Sequence, residues 1–220
     1  MRALAIAIVD HYRRHRRALP WRQTRDPYAI WVSEIMLQQT RVATVIPYWQ
    51  RWMARFPTVG ALAAAEDDTV MEAWAGLGYY SRARNLVRGA RAVVAAGGAM
   101  PGDADALRAL PGIGAYTAGA IASIAYGQRA ALVDGNVARV LARVRGIDED
   151  VKATAGQRRV WAEAEALMAA LPADREPGEL YVDPDSQGQL VEDCAVCCRP
   201  WLVTIERAGG RLRVQVVRAQ

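Results

Sequence analysis

The sequence predicts a mostly α chain: two helical lobes built around a helix–hairpin–helix, followed by a small C-terminal β-hairpin tail. Three observations predict it. Leu110-Pro111-Gly112-Ile113-Gly114 is a tight glycine turn between two helix-forming stretches, 103–109 and 115–126. Residues 42–56 carry Val45, Trp49, Trp52 and Phe56 as an apolar stripe at helical spacing. Beyond residue 200 the period drops to two, and 201–205 and 212–217 alternate like strands joined at Gly209-Gly210.

Composition sets the bounds. A chain of 220 residues that is 52% hydrophobic is long enough and apolar enough to bury a sizeable core. Its net charge of +5 is carried almost wholly by arginine, Lys152 being the single lysine. Arginine's planar fork suits phosphate, so the balance permits a nucleic-acid partner without demonstrating one. No stretch reads as a membrane span or a secretory leader. The three cysteines sit in one cluster, which is no disulfide framework. The expectation is a cytoplasmic protein.

Residues 1–17 form the first expected helix, with Leu4 and Ile8 on one side and Arg13, Arg14, Arg16 and Arg17 as a basic end, either a phosphate contact or a solvated face. His11 and His15 are four apart but lack a third ligand at metal spacing. Leu19-Pro20-Trp21-Arg22 ends that segment. Asp26 caps the next helix and Pro27 opens it. Within it Glu34 shares a face with Ile30 and Leu37. A carboxylate on an apolar face is costly when charged, and the rise in pKa that follows suits a general acid. A structural salt bridge or a surface glutamate is the other reading. Gln38-Gln39-Thr40 offers two amides and a hydroxyl to base edges or to a backbone, or simply caps the helix.

Short helices are expected over 58–65 and 67–75. Gly76-Leu77-Gly78-Tyr79-Tyr80 then runs into Ser81-Arg82-Ala83-Arg84 and a helix to residue 96. On a DNA-facing surface a tyrosine in such a turn can wedge into the base stack, and Arg82 or Arg84 can hold a phosphate. In the hairpin, Gly112 and Gly114 allow close backbone approach, and the following helix starts with free N–H groups on which a phosphate can dock. Asp134, in Val133-Asp134-Gly135-Asn136-Val137, is placed to cap the helix 136–145, or to hold an anion beside a developing cation. The two roles overlap, since a cap fixes a carboxylate well. A late helix is expected over 157–171.

Taken together, Leu19 to Arg22, Trp31-Val32-Ser33-Glu34-Ile35-Met36-Leu37-Gln38-Gln39-Thr40, 76–85, 110–119 and 133–143 resemble, in order and spacing, the adenine-removing MutY branch of the helix–hairpin–helix (HhH-GPD) DNA glycosylases. The resemblance spans roughly residues 1–175. It implies a two-lobed fold in residues 1–176, with a six-helix lobe at about 22–133 and a second lobe from 1–21 and 134–176. It implies base excision repair by hydrolysis of the N-glycosidic bond of adenine opposite 8-oxoguanine or guanine in double-stranded DNA. In that family the residue at Glu34 protonates adenine and then activates water, the residue at Asp134 stabilises the sugar cation or its transient adduct, and Asn136 orients the site. Related enzymes that also cleave the strand carry a lysine at the position of Tyr116, so no strong AP-lyase activity is expected here. Gln38 and Tyr79 resemble residues that enter the stack around the mispair, and base flipping delivers the leaving group to its pocket. With Gln39, Thr40, Arg82, Arg84, Gly112 and Gly114 they complete the expected DNA-binding set.

The resemblance breaks after Pro177-Gly178. Usual members hold a [4Fe–4S] cluster on four cysteines spaced by six, two and five residues, whereas this sequence has only Cys194-Ala195-Val196-Cys197-Cys198. Neither an iron–sulfur cofactor nor the large domain that reads 8-oxoguanine in typical members is therefore expected. Residues 177–220 resemble the latter part of a small bacterial Cys-Pro-x-Cys-Gly domain without its upstream Cys-x-x-Cys pair. Cys194, Cys197 and Cys198 are the weak metal candidates, and a zinc site shared between two chains stays open beside a metal-free hairpin. The expectation is a monomer without metal, nucleoid-associated in a bacterial cytoplasm. Two other classes stay open: a glycosylase for thymine or uracil opposite guanine, and a lesion-binding module with weak catalysis.

Overall fold

The computed structural model describes residues 1–175, 201–208 and 211–218. Its helical part divides into two compact units, one made of Ala18–Leu132 and the other of Met1–Arg17 with Val133–Pro172.

The larger unit is assembled around α2 (Pro27–Leu37). Asp26 accepts a hydrogen bond from the Tyr28 N–H at 3.0 Å, and Pro27 supplies a preset first turn. Every residue from Tyr28 to Met36 is buried, Ser33 and Glu34 included, so α2 is covered on every side. It packs against α3 (Val42–Arg55), α6 (Ser81–Ala95) and α8 (Ala115–Tyr126). The Trp49 indole donates to the Ala29 carbonyl at 3.0 Å, and the Trp52 indole to the Tyr28 hydroxyl at 3.2 Å. That hydroxyl donates in turn to the Phe56 carbonyl at 2.9 Å. The polar tips of Tyr28, Trp49 and Trp52 thus find partners, whereas the buried Trp31 indole N–H has none. Leu19 and Trp21, from the 3-10 turn Pro20–Arg22, lie in the same core. The compact unit accordingly begins at Ala18.

Short helices α4 (Val59–Ala64) and α5 (Asp67–Trp74) pack on α6 and close that side. Helix α7 (Ala104–Arg108), capped by Asp103, leads through the hairpin turn into α8. Gly112 adopts φ +79°, and a Cβ there would lie 2.6 Å from the Asn85 Cβ, so the turn requires glycine on both counts.

In the second unit, α9 (Gly135–Arg145) and α1 (Arg2–His15) pack against α10 (Thr154–Ala169), whose Val160, Ala164, Leu167 and Met168 are buried. Helix α10 starts three residues before the expected 157 and stops at 169. Glu163 accepts from the Arg145 Nε at 2.8 Å, tying α9 to α10. Beyond the helices, β1 (Trp201–Ala208) pairs antiparallel with β2 (Arg211–Arg218), from Trp201 opposite Arg218 to Ala208 opposite Arg211.

Candidate functional site

Glu34 sits in the last turn but one of α2 and is 4% exposed. The helix that carries it is anchored along its length, and Ser33 turns its hydroxyl onto the Ile30 carbonyl at 2.7 Å. A buried carboxyl group on an anchored helix is suited to proton transfer in a fixed geometry.

Helix α2 ends in the turn Gln38-Gln39-Thr40, in which Gln38 and Gln39 are exposed and Gln39 adopts a left-handed φ of +57°. The turn 76–80 presents Tyr79, 62% exposed with φ +47°. Among the described residues these are the two non-glycine residues with positive φ, an uncommon state for bulky side chains. Arg84 is exposed, on the first turn of α6.

Arg82, expected to hold a phosphate, does something else. It is 8% exposed, and its guanidinium is turned inward. Nη1 donates to the carbonyls of Ile35 at 3.0 Å, Met36 at 3.1 Å and Gln38. Nη2 donates to the carbonyls of Leu77 at 2.9 Å and Gly78 at 3.3 Å and to the Thr40 hydroxyl at 3.3 Å. The planar fork satisfies carbonyls at the end of α2. Burial pulls its pKa below the usual arginine value, and the Tyr79 hydroxyl opposes that pull. Of the expected DNA-contacting set, the structure gathers Gln38, Thr40 and Arg82 into one cluster and leaves Gln38, Gln39, Tyr79, Arg84, Gly112 and Gly114 exposed.

Gly114 is the N-cap of α8 and offers no side-chain oxygen to its first N–H groups; no acidic residue occupies the first turn. The positive end of α8 is thus left without an anion of its own. Tyr116, in that first turn, is half-buried.

In the other unit, Asp134 caps α9: its Oδ1 accepts from the N–H of Asn136 at 2.9 Å and of Val137 at 2.7 Å. The Asn136 amide donates to Asp134 Oδ2 at 3.3 Å, and Arg139 donates to the Asn136 Oδ1. Burial raises the Asp134 pKa, while the two N–H groups and Arg139 pull it back. Glu34 and Tyr116 belong to one unit, Asp134 and Asn136 to the other.

A family model for HhH-GPD superfamily base excision DNA repair proteins matches residues 32–164. The chain belongs to that superfamily. Within the HhH-GPD superfamily it is 51% identical over 179 residues to the adenine DNA glycosylase of Homo sapiens, covering 76% of this chain and 33% of that protein. It is 43% identical over 202 residues to the adenine DNA glycosylase of Arabidopsis thaliana, covering 80% of this chain and 31% of that protein. The chain thus spans about a third of the length of these curated relatives. Among solved structures, a thermostable thymine-DNA glycosylase superposes with a TM-score of 0.68 at 30% identity, covering 74% of this chain and 76% of that one. An endonuclease III–DNA covalent intermediate, at TM-score 0.60 and 22% identity over 74% of this chain and 80% of that one, shares the fold.

A bacterial zinc ribbon model matches residues 175–218. Cys194, Cys197 and Cys198 lie outside the described residues. Among the described residues no group of three or more His, Cys, Asp or Glu is placed to hold a metal. Three thiols do not supply the two Cys-x-x-Cys pairs of a zinc ribbon, and no step below is routed through a metal. No described helix is long and apolar enough to cross a membrane.

Beside the role of Arg82, sequence reasoning missed Arg139 and the left-handed turns of this HhH-GPD chain. Arg139 lies three residues after Asn136 and so shares its helix face, a spacing readable in advance. The left-handed tyrosine had a weaker signal, the two glycines just before it.

Proposed function

We propose that this chain is a monofunctional DNA N-glycosylase that removes adenine mispaired with 8-oxoguanine or guanine. The observation that carries the reading is Glu34: a buried carboxylate on an enclosed helix, next to exposed turns, within the residues matched by the HhH-GPD family model.

Glu34 gives its proton to a ring nitrogen of the flipped adenine. The bond from C1′ to the base then breaks, and its electron pair leaves with the base. The Asp134 carboxylate stabilises the positive charge left on the sugar, since an anion fixed at a helix cap needs little rearrangement when that charge develops. Water adds to C1′, and Glu34, now ionised, takes the proton the water loses. Acid and base are the same carboxyl group, restored at the end of the cycle. Asn136 and Arg139 hold Asp134 in place. Tyr116 has no amine to attack C1′, so the abasic product keeps its strand intact.

The exposed glycine turn at 112–114 and the uncapped start of α8 support a backbone phosphate contact. Arg84 adds a side-chain contact. Gln38, Gln39 and Tyr79 enter the stack beside the flipped base. The tail 177–220 reads as a zinc-ribbon-like hairpin appended to the glycosylase core, in a monomer or a dimer sharing zinc through the tail.

The resemblance to a thymine-DNA glycosylase structure supports a second reading, thymine opposite guanine as the substrate. One assay separates them. Labelled duplexes carrying adenine opposite 8-oxoguanine, adenine opposite guanine and thymine opposite guanine are incubated with the protein and treated with alkali. Breaks at adenine support the first reading, breaks at thymine the second. Binding without breaks on any duplex would leave a lesion sensor.

A further inference from the structure

We propose that Arg82 is a positioning residue that splints the Gln38–Thr40 turn to the Gly76–Tyr79 turn, so that Gln39 and Tyr79 meet DNA as one rigid pair. The inference rests on the DNA-facing reading of those turns given above.

Four observations converge on it. First, one guanidinium reaches both turns: Nη1 bonds Gln38 and the end of α2, while Nη2 bonds Leu77, Gly78 and Thr40. Second, the residues presented from those turns, Gln39 and Tyr79, are the two described non-glycine residues held in left-handed backbone. Such a backbone persists only where its surroundings over-determine it. Third, the guanidinium lies 5.3 Å from the Trp74 ring centroid and 5.5 Å from that of Tyr79, so the exposed tyrosine ring rests on the same group that fixes its turn. Fourth, the Trp74 indole also donates to the Gly78 carbonyl, at 2.9 Å, so the platform beneath the splint is itself locked. An arginine serving only as a cap for α2 would have no reason to share a fork with the second turn. Lysine cannot replace it, because a single ammonium has three donors and no planar spread.

The test compares Arg82→Lys and Arg82→Gln with Arg84→Gln. In the DNA-free protein, amide hydrogen exchange should rise at least tenfold in residues 38–40 and 76–80 together, in both Arg82 variants, with α9 unchanged. Faster exchange in one turn only, or in neither, overturns the splint. This arm needs no substrate, so it stands even if the wild type removes no base and the proposed function fails.

On DNA, base removal per folded molecule, in single turnover on the duplex that the wild type cleaves, should fall at least tenfold in both Arg82 variants. Affinity for matched duplex should change less than twofold, with its salt dependence intact. A phosphate contact gives a different result: Arg82→Gln alone would flatten the plot of log K against log salt by about 0.9, and Arg82→Lys would not. That flattening is expected for Arg84→Gln; at Arg82 it would overturn the proposal. If Arg82→Gln does not fold, Arg82→Lys decides alone, because unchanged exchange and an unchanged rate in that variant refute the splint.

Discussion

Asp134 caps α9 and is proposed to stabilise the sugar cation, and a pair of substitutions separates the two roles. Asp134→Asn keeps an oxygen to accept from the N–H groups of Asn136 and Val137, now at 2.9 and 2.7 Å, but removes the charge. Asp134→Ala removes both. The melting points of the two variants should therefore differ by the worth of the cap, about 0.5–2 kcal/mol. For a chain of this length that is a gap of about 1–8 °C, with the asparagine variant higher. The comparison with wild type has its own sign. Burial raises the Asp134 pKa in the folded state, so between the ordinary value and the raised one the folded protein holds a proton that the unfolded chain has released. Stability falls as pH rises through that window, and above it the full cost of the buried charge applies. Asp134→Asn should thus melt at or above wild type at pH 7–8, and the advantage should shrink as the pH is lowered through the acid range. Catalysis should move the other way, with single-turnover base removal falling by about 10²–10³ in both variants, the usual cost of losing one preorganised electrostatic group. Circular dichroism melts across pH and single-turnover gels measure the two halves. An asparagine variant that melts below the alanine variant, or one that keeps its rate within a factor of two, would refute the reasoning.

Glu34→Gln should nearly abolish base removal while duplex affinity by gel shift stays within a few-fold of wild type; a rate within twofold of wild type would dismiss the acid. Strand cleavage should require added alkali or heat, and borohydride should trap no protein–DNA adduct, because Tyr116 replaces a lysine. Gly112→Ala combines left-handed backbone, about 1–2 kcal/mol, with overpacking against Asn85, about 1–3 kcal/mol, so thermal melts should drop by about 4–20 °C. Anaerobically purified protein should show no iron–sulfur absorption, since three thiols cannot form a four-thiolate cage; four irons per chain by elemental analysis would contradict this.

The helix caps were legible because their chemistry is local. Asp26 with Pro27 and Asp134 each act on N–H groups two or three residues away, and α8 runs over 115–126 as its bounding glycines indicate. The burial of Glu34 was legible from the apolar run around it. The role of Arg82 was not, because its partners lie up to 47 residues away and an arginine beside an exposed serine reads as surface. The conformations of Gln39 and Tyr79 escaped for the same reason: local preference assigns left-handed backbone to glycine, and tertiary bonds overrule it here. The boundary at Ala18 depended on which core Trp21 joins, and a tryptophan's sequence neighbours do not say.

Because α2 is enclosed on every side, heat cannot soften the acid before it melts the scaffold. Adaptation to cold or heat must leave Tyr28 to Met36 nearly untouched and work through the outer turns. Laboratory selection for faster variants at low temperature should accordingly accumulate changes at residues 38–40 and 76–80, and almost none in α2.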